Sequence, residues 1–389
     1  ITMICIDERG TVDLLKSLIR IDSVNPDLMP GGPGEAEIAV FIEDFMVEVG
    51  LEVHVQQAVP GRPNVIGILR GNDPVNGKSL MLNGHTDTVG IGKMEIPPFD
   101  PVELDGRIYG RGSADMKSGV TAMLSAAKSI AKSGVSLRGD LIIAAVVDEE
   151  YASIGTEALV KGFTADAAIV TEPTDLNITV AHKGFAWIDI DTSGHAAHGS
   201  DPAEGVDAIM MMADVLQKLR SFDQSVLRTR SHPILSPPSL HASVIDGGKE
   251  LSTYPDVCRL QVERRTIPGE SQESVAAEID SILLDCQSTN AEFKATSNIF
   301  FYREPLEIDR DDVIVRTLHH HLCDVTGEMP EYNGSSGWMD SGILCKAGIP
   351  TVIFGPGGDG FHAAVEYADR KSLLACTKVL AETIETFCG

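Results

Sequence analysis

At 389 residues the chain is longer than one hydrophobic core usually sustains, so two domains are expected, and 43% hydrophobic residues suffice to build them. A formal net charge of −26 excludes nucleic acid and anionic membrane surfaces as partners. Seven cysteines without a Cys-x-x-Cys pair read as reduced thiols of a cytoplasmic protein, and no apolar run reaches membrane-spanning length. Residues 1–10 lack a signal-peptide pattern, and Ile1 in place of Met leaves the true N-terminus open. Helical periodicity covers residues 12–21 and 35–49, with Gly50 as a stop. Residues 64–69 and 79–82 read as strands, the second running into His85-Thr86-Asp87. A Pro-rich loop at 97–101 precedes the Asp105-Gly106 turn, and a Gly-rich stretch leads to Asp115-Met116-Lys117 and a helix over 118–132. Residues 141–148 form a buried strand ending at Glu149-Glu150, and 167–171 another ending at Glu172-Pro173. Strands alternating with helices imply a largely parallel sheet covered on both faces.

The pattern then changes. Residues 182–190 alternate as an amphipathic strand, a Met-rich helix follows at 206–219, and a second strand and helix occupy 260–264 and 272–284. Two strand-then-helix units suggest a small ferredoxin-like α+β domain. Residues 301–307 lead back to a helix at 313–322 and a strand at 351–354. The expected organisation is a mixed α/β catalytic domain, 1–181 and 299–389, interrupted by an α+β domain at 182–298.

Several apolar or Gly-rich segments end in a carboxylate or imidazole: His85, Asp115, Glu150, Glu172 and, after Gly355-Pro356-Gly357-Gly358, His362. Ligands bind at strand carboxyl ends in an open parallel sheet, and carboxylates are seldom buried unless paired or metal-bound. Two imidazoles and three carboxylates suit zinc or a similar divalent ion better than calcium. One carboxylate shared by two ions would leave each a further position open for catalysis. A covalent nucleophile is not in evidence, since neither a Gly-x-Ser-x-Gly elbow nor a Cys in a nucleophile motif occurs.

His85-Thr86-Asp87-Thr88-Val89, Gly112-Ser113-Ala114-Asp115-Met116-Lys117, Asp148-Glu149-Glu150 and Thr171-Glu172-Pro173 stand in a familiar order. From residue 14 to about 381 the chain resembles the co-catalytic zinc amidohydrolases and peptidases. That family includes acetylornithine deacetylase, succinyl-diaminopimelate desuccinylase, aminoacylase and glutamate carboxypeptidase. The resemblance implies a zinc-peptidase-like catalytic domain with an inserted lid and dimerisation domain, and a homodimer. It implies two divalent ions, Zn2+ first and Co2+ or Mn2+ as alternatives. His85 and Glu172 would hold one ion, Glu150 and His362 the other, with Asp115 bridging. Glu149 would be the general base for a metal-bound water, and Asp87 would orient the His85 ring.

The implied reaction is hydrolysis of the amide of an N-acyl amino acid. A metallo-carboxypeptidase or dipeptidase acting on short peptides is the alternative, and a catalytically silent binding protein the reading from another class. His198 corresponds to the residue that holds the carbonyl oxyanion, often across the dimer, and Arg265 to a clamp for a substrate carboxylate. Ser252 stands where the family has Asn, and Phe361 where a small residue is common. Gly355 and Gly357 belong to a loop expected to turn its backbone amides toward substrate. Acyl group and side chain are not legible.

Two further features stand apart. His319-His320-His321 falls in a helix, where successive residues face different ways and three cannot converge on one ion. Asp340 either has a place near the site, as in the family, or caps a helix.

Overall fold

The computed structural model describes residues 4–389, and the chain divides into two units. The first opens with helices α1 (Glu8–Arg20) and α2 (Ala36–Val49) and strands β1 (Glu52–Val59), β2 (Arg62–Leu69) and β3 (Leu80–His85). Short strands β4 (Val102–Leu104) and β5 (Arg107–Tyr109) precede a helical turn at Ser113–Lys117 and then α3 (Ser118–Ser133). Next come β6 (Leu141–Val146), α4 (Ile154–Leu159), β7 (Ala167–Val170) and β8 (Ile178–His182), which carries the chain into unit 2. That unit contains β9 (Gly184–Ser193), α5 (Ala208–Ser225), β10 (Ser239–Gly247), β11 (Val257–Thr266), α6 (Gln272–Thr289), β12 (Ala295–Arg303) and β13 (Leu306–Glu307). The remainder is α7 (Val313–Thr326), β14 (Tyr332–Ser335), α8 (Ser341–Lys346), β15 (Thr351–Ile353), β16 (Gly358–Asp359), β17 (Tyr367–Asp369) and α9 (Arg370–Cys388).

The main sheet runs β1-β2-β6-β3-β7-β15-β8-β13. Its centre is parallel: β3 pairs in parallel with β6 and β7, and β15 with β7. β1 and β2 add an antiparallel edge. Every residue of β3, β6 and β7 is buried, as the unbroken apolar runs of β6 and β7 require of strands covered on both faces. Local signals set the helix ends. The Asp7 side chain accepts from the Gly10 N–H at the start of α1, and Gly50 closes α2 at φ 92°, a left-handed conformation natural to glycine.

Unit 2 reads β-α-β-β-α-β through β9, α5, β10, β11, α6 and β12, with sheet order β10-β11-β9-β12 and all pairs antiparallel. This is the ferredoxin-like arrangement. Ile188, Ile190, Leu260 and Val262 alternate onto the helix-covered face and pack with Met211, Val215 and Ile279. The unit spans Ala181–Glu307 and also takes in Gly334–Trp338. Its end lies beyond residue 298 because β12 pairs with β9 from Ala295↔Thr192 to Arg303↔Phe185, and a boundary at 298 would cut that strand.

Candidate active site

β6, β3, β7 and β15 are parallel neighbours, so their carboxyl ends fall along one edge of the sheet. Glu149-Glu150, His85, Glu172 and the Gly355–His362 loop occupy those ends in turn. Asp115 enters from the Ser113–Lys117 turn ahead of α3. His85 Nε2 lies 3.2 Å from Asp115 Oδ1, 3.6 Å from Glu172 Oε1 and 4.0 Å from Glu149 Oε2. His362 Nε2 lies 3.3 Å from Asp115 Oδ2 and 3.2 Å from Glu150 Oε2. Asp115 thus offers one oxygen to each imidazole, with Glu172 and Glu149 beside His85 and Glu150 beside His362.

The cluster carries more carboxylates than cations. Burial raises the Glu149 carboxyl well above its ordinary value, and the neighbouring Glu172, Asp340 and Glu150 push the same way against His85. Glu172 is raised for the same first reason, and Glu150 reaches about 7 through burial and Asp115. Burial opposes charge on His85, but Glu172, Asp115 and Asp87 outweigh it and hold the ring well above the usual imidazole range. Hydrogen bonds to Asp115 and Glu150 take His362 to about 10. Glu150 Oε1 is buried without a hydrogen-bond partner. An orphaned carboxylate oxygen among mixed nitrogen and oxygen donors is the chemistry of a divalent-ion site.

A buried polar network fixes these groups. His85 Nδ1 is 3.0 Å from the Asp87 backbone carbonyl and 3.4 Å from its carboxylate. The Asp87 carboxylate in turn accepts from the backbone N–H groups of Glu149 and Glu150, both at 3.2 Å, and from Asn25 Nδ2 at 2.7 Å. Asn25 also donates to Asp148 Oδ1 at 3.0 Å, where Arg62 Nη1 arrives at 2.8 Å. Arg62 Nε continues to Glu35 Oε2 at 2.9 Å. On the other side, Glu366 accepts from the N–H groups of Gly112, Ala114 and Asp115 at 3.0–3.1 Å and from Arg111 Nη1 at 2.7 Å. It lies four residues beyond His362, so one carboxylate joins the two loops that carry Asp115 and His362. Asn25, Arg62 and Glu366 escape sequence reasoning because their partners are distant in the chain. Only Arg62 stood out, as a charged residue opening an otherwise buried apolar strand.

Asp340 does not cap α8 through its side chain. Its carboxylate is buried, accepts from Thr156 Oγ1 at 2.6 Å, and is raised to about 6 chiefly by that burial. The amide of Gly355 donates to Thr174 Oγ1 at 3.1 Å and that of Gly357 to Ser372 Oγ at 2.6 Å. These two amides are engaged within the protein and do not form an open row toward substrate. The glycines serve close approach instead, since a Cβ at Gly355 would lie 2.2 Å from the Glu172 carbonyl oxygen. His198 and Arg265 belong to unit 2. There His198 is exposed, with Nδ1 2.7 Å from Ser200 Oγ. Arg265 Nε donates to Glu263 Oε1 at 2.7 Å, and its guanidinium lies 5.0 Å from the Phe185 ring centre.

Residues 81–386 match the description Peptidase family M20/M25/M40. The chain belongs to this family. It is 30% identical to N-formyl-4-amino-5-aminomethyl-2-methylpyrimidine deformylase of Bacillus subtilis (strain 168), across 97% of this chain and 94% of that protein. It is 29% identical to acetylornithine deacetylase of Myxococcus xanthus, across 89% of this chain and 87% of that one. Aminopeptidase PepT of Bacillus cereus shares the fold with TM-score 0.81 at 21% identity, over 99% of this chain and 100% of that chain. A dinuclear metal-binding M20 peptidase of Bacillus subtilis does so with TM-score 0.74 at 14% identity, over 98% of each. Membership makes the chain a hydrolase of amide C–N bonds. Among the described residues, no helix is long and apolar enough to cross a membrane.

Proposed function

We propose that this chain removes an N-acyl group from a small amine, with an N-acyl amino acid as the substrate class. The observation that carries the reading is Asp115 set between two imidazoles at 3.2 and 3.3 Å with Glu149 beside them. His85 and Glu172 would hold one divalent ion, Glu150 and His362 a second, and Asp115 both. Zinc suits these donors best, and cobalt or manganese would serve. Bound there, such ions acidify a water and polarise an acyl carbonyl. Glu149 takes the proton of the attacking water and returns it to the leaving amine nitrogen, so the acyl carbon gains oxygen as the C–N bond breaks. Its raised proton affinity, from burial and nearby carboxylates, suits a group that must accept a proton and then give it up. Asp87 keeps the His85 ring in place through its carbonyl and carboxylate.

His198 is assigned to the developing oxyanion and Arg265 to a substrate carboxylate. The assembly is a homodimer formed through unit 2, whose β10 exposes Val244 (55%) and Ile245 (54%) beside unpaired backbone. Seven free thiols suit a reducing, cytoplasmic setting. The two relatives named above are a deformylase and a deacetylase, both removers of a small acyl group by name, and this favours deacylation over peptide cleavage.

A hydrolysis screen with added Zn2+, Co2+ or Mn2+ tests the reading. It should compare N-formyl, N-acetyl and N-succinyl amino acids, an N-formyl aminomethylpyrimidine, and dipeptides. Turnover of an N-acyl compound that stops on chelation and returns with metal is expected. Turnover confined to dipeptides would replace deacylation with peptidase activity, and full activity after demetallation would overturn the metal assignment.

A further inference from the structure

Helix α7 carries three consecutive histidines that the catalytic cluster does not use. His319 goes its own way: its ring stacks on Tyr332 with centroids 5.5 Å apart, and the Tyr332 hydroxyl lies 2.8 Å from Nδ1. His320 and His321 instead lean together, with centroids 5.1 Å apart. One turn on, Asp324 Oδ2 lies 3.4 Å from His320 Nε2. From α9, Glu382 Oε2 reaches to 3.6 Å from His321 Nδ1. Ligand atoms of His320, His321 and Asp324 all fall within 4.8 Å of one another.

We propose that His320, His321, Asp324 and Glu382 form a further metal site, built from none of the catalytic residues, which takes a borderline divalent ion such as Zn2+, Ni2+ or Cu2+ and ties α7 to α9. Two imidazoles and two carboxylates match such ions and not calcium or magnesium. A tetrahedron with bonds of about 2.0–2.1 Å has edges of about 3.3–3.4 Å. The 3.4 and 3.6 Å pairs already stand close to that edge. His320 and Asp324, with side chains 67% and 59% exposed, are free to swing in and close the wider gaps.

The more buried half of the site is prepared independently. His321 Nε2 lies 2.7 Å from Thr386 Oγ1, an outer contact of the kind that orients a metal-ligating histidine. The three histidines do not converge on one point: His319 turns to Tyr332, and only its two neighbours come together. A backbone turn separates adjacent side chains, yet long rings on one exposed shoulder can still tilt together.

The test is calorimetric titration of Zn2+ into the full chain carrying His85→Ala and Asp115→Ala, which disable the catalytic cluster. One Zn2+ is expected to bind, and adding His320→Ala or Asp324→Ala should weaken it at least tenfold. Both substituted side chains are exposed, so folding is preserved, and circular dichroism checks it. Cu2+ bound at the site should show a two-nitrogen hyperfine pattern that falls to one nitrogen in His320→Ala. In an otherwise native chain these two substitutions should leave amide hydrolysis unchanged. No binding below about 0.1 mM Zn2+, or binding that both substitutions leave untouched, would overturn the site.

Discussion

Glu149 and Glu150 are adjacent in the chain, yet the backbone turn after Asp148, held at φ 72°, sends them to different partners. Glu150 meets His362 at 3.2 Å, while Glu149 lies beside His85, at 4.0 Å. The Glu149→Gln variant keeps shape and cannot accept a proton, so kcat should fall by about 10²–10⁴-fold with metal content nearly unchanged. Glu150→Gln should lose metal first. Metal analysis beside kinetics separates the two, and metal loss in Glu149→Gln would exchange their roles. Asn25 makes a different kind of prediction. Its amide satisfies both Asp87 and Asp148, so Asn25→Ala leaves two buried carboxylates short of a donor. Metal affinity should drop about 10–100-fold and stability by about 1.5–3 kcal/mol, read by metal titration and denaturant melts. Unchanged affinity would show that Asp87 holds its position without Asn25.

At the scale of elements, the first turn of α3 shows where packing reverses a local rule. Gly119 lies inside the helix, and Gly→Ala at an ordinary helical position stabilises by about 1 kcal/mol. Here an added Cβ would lie 1.9 Å from the Thr171 carbonyl oxygen, at the carboxyl end of β7. Overpacking of that kind costs about 1–3 kcal/mol or more and exceeds the propensity gain. Gly119→Ala should therefore lower the denaturation midpoint, and a rise would mean that α3 can retreat from β7. The same helix marks the limit of sequence reading. Residues 118–132 announced themselves by periodicity, but the need for glycine at 119 depends on a strand 52 positions away. Strands ending in His85, Glu150 and Glu172 were legible because apolar runs stop abruptly at charge. α9 was not placed, since Ser372, Thr377 and Thr383 are buried along with Leu373, Leu380 and Ile384, which blurs the apolar stripe. Residue 298 as a boundary failed for a similar reason: β12 exposes alternate residues and has no terminal punctuation, and only its register with β9 defines it.

For the molecule as a whole, the response to acid combines groups of opposite sign. The raised carboxyls of Glu149, Glu150 and Glu172 bind protons more readily in the folded chain than in the unfolded one, so without metal they favour the fold as pH falls. His182 acts against them. It is fully buried at the start of unit 2, Nδ1 lies 2.9 Å from the Lys183 carbonyl oxygen, and burial depresses it from 6.5 to about 4. Between those values the unfolded chain binds a proton that the folded chain refuses. The stability linked to His182 is thus complete above pH 6.5 and is lost as pH falls toward 4. A difference of 2.5 corresponds to roughly 3–3.5 kcal/mol at most. Comparing wild type with His182→Gln cancels the carboxyl contribution, which both chains share. Urea melts at pH 7.5 and 4.5 should show the wild type losing more stability than the variant across that interval. Equal losses would mean that the His182 ring is protonated in the folded chain, and the acid response would then belong to other groups.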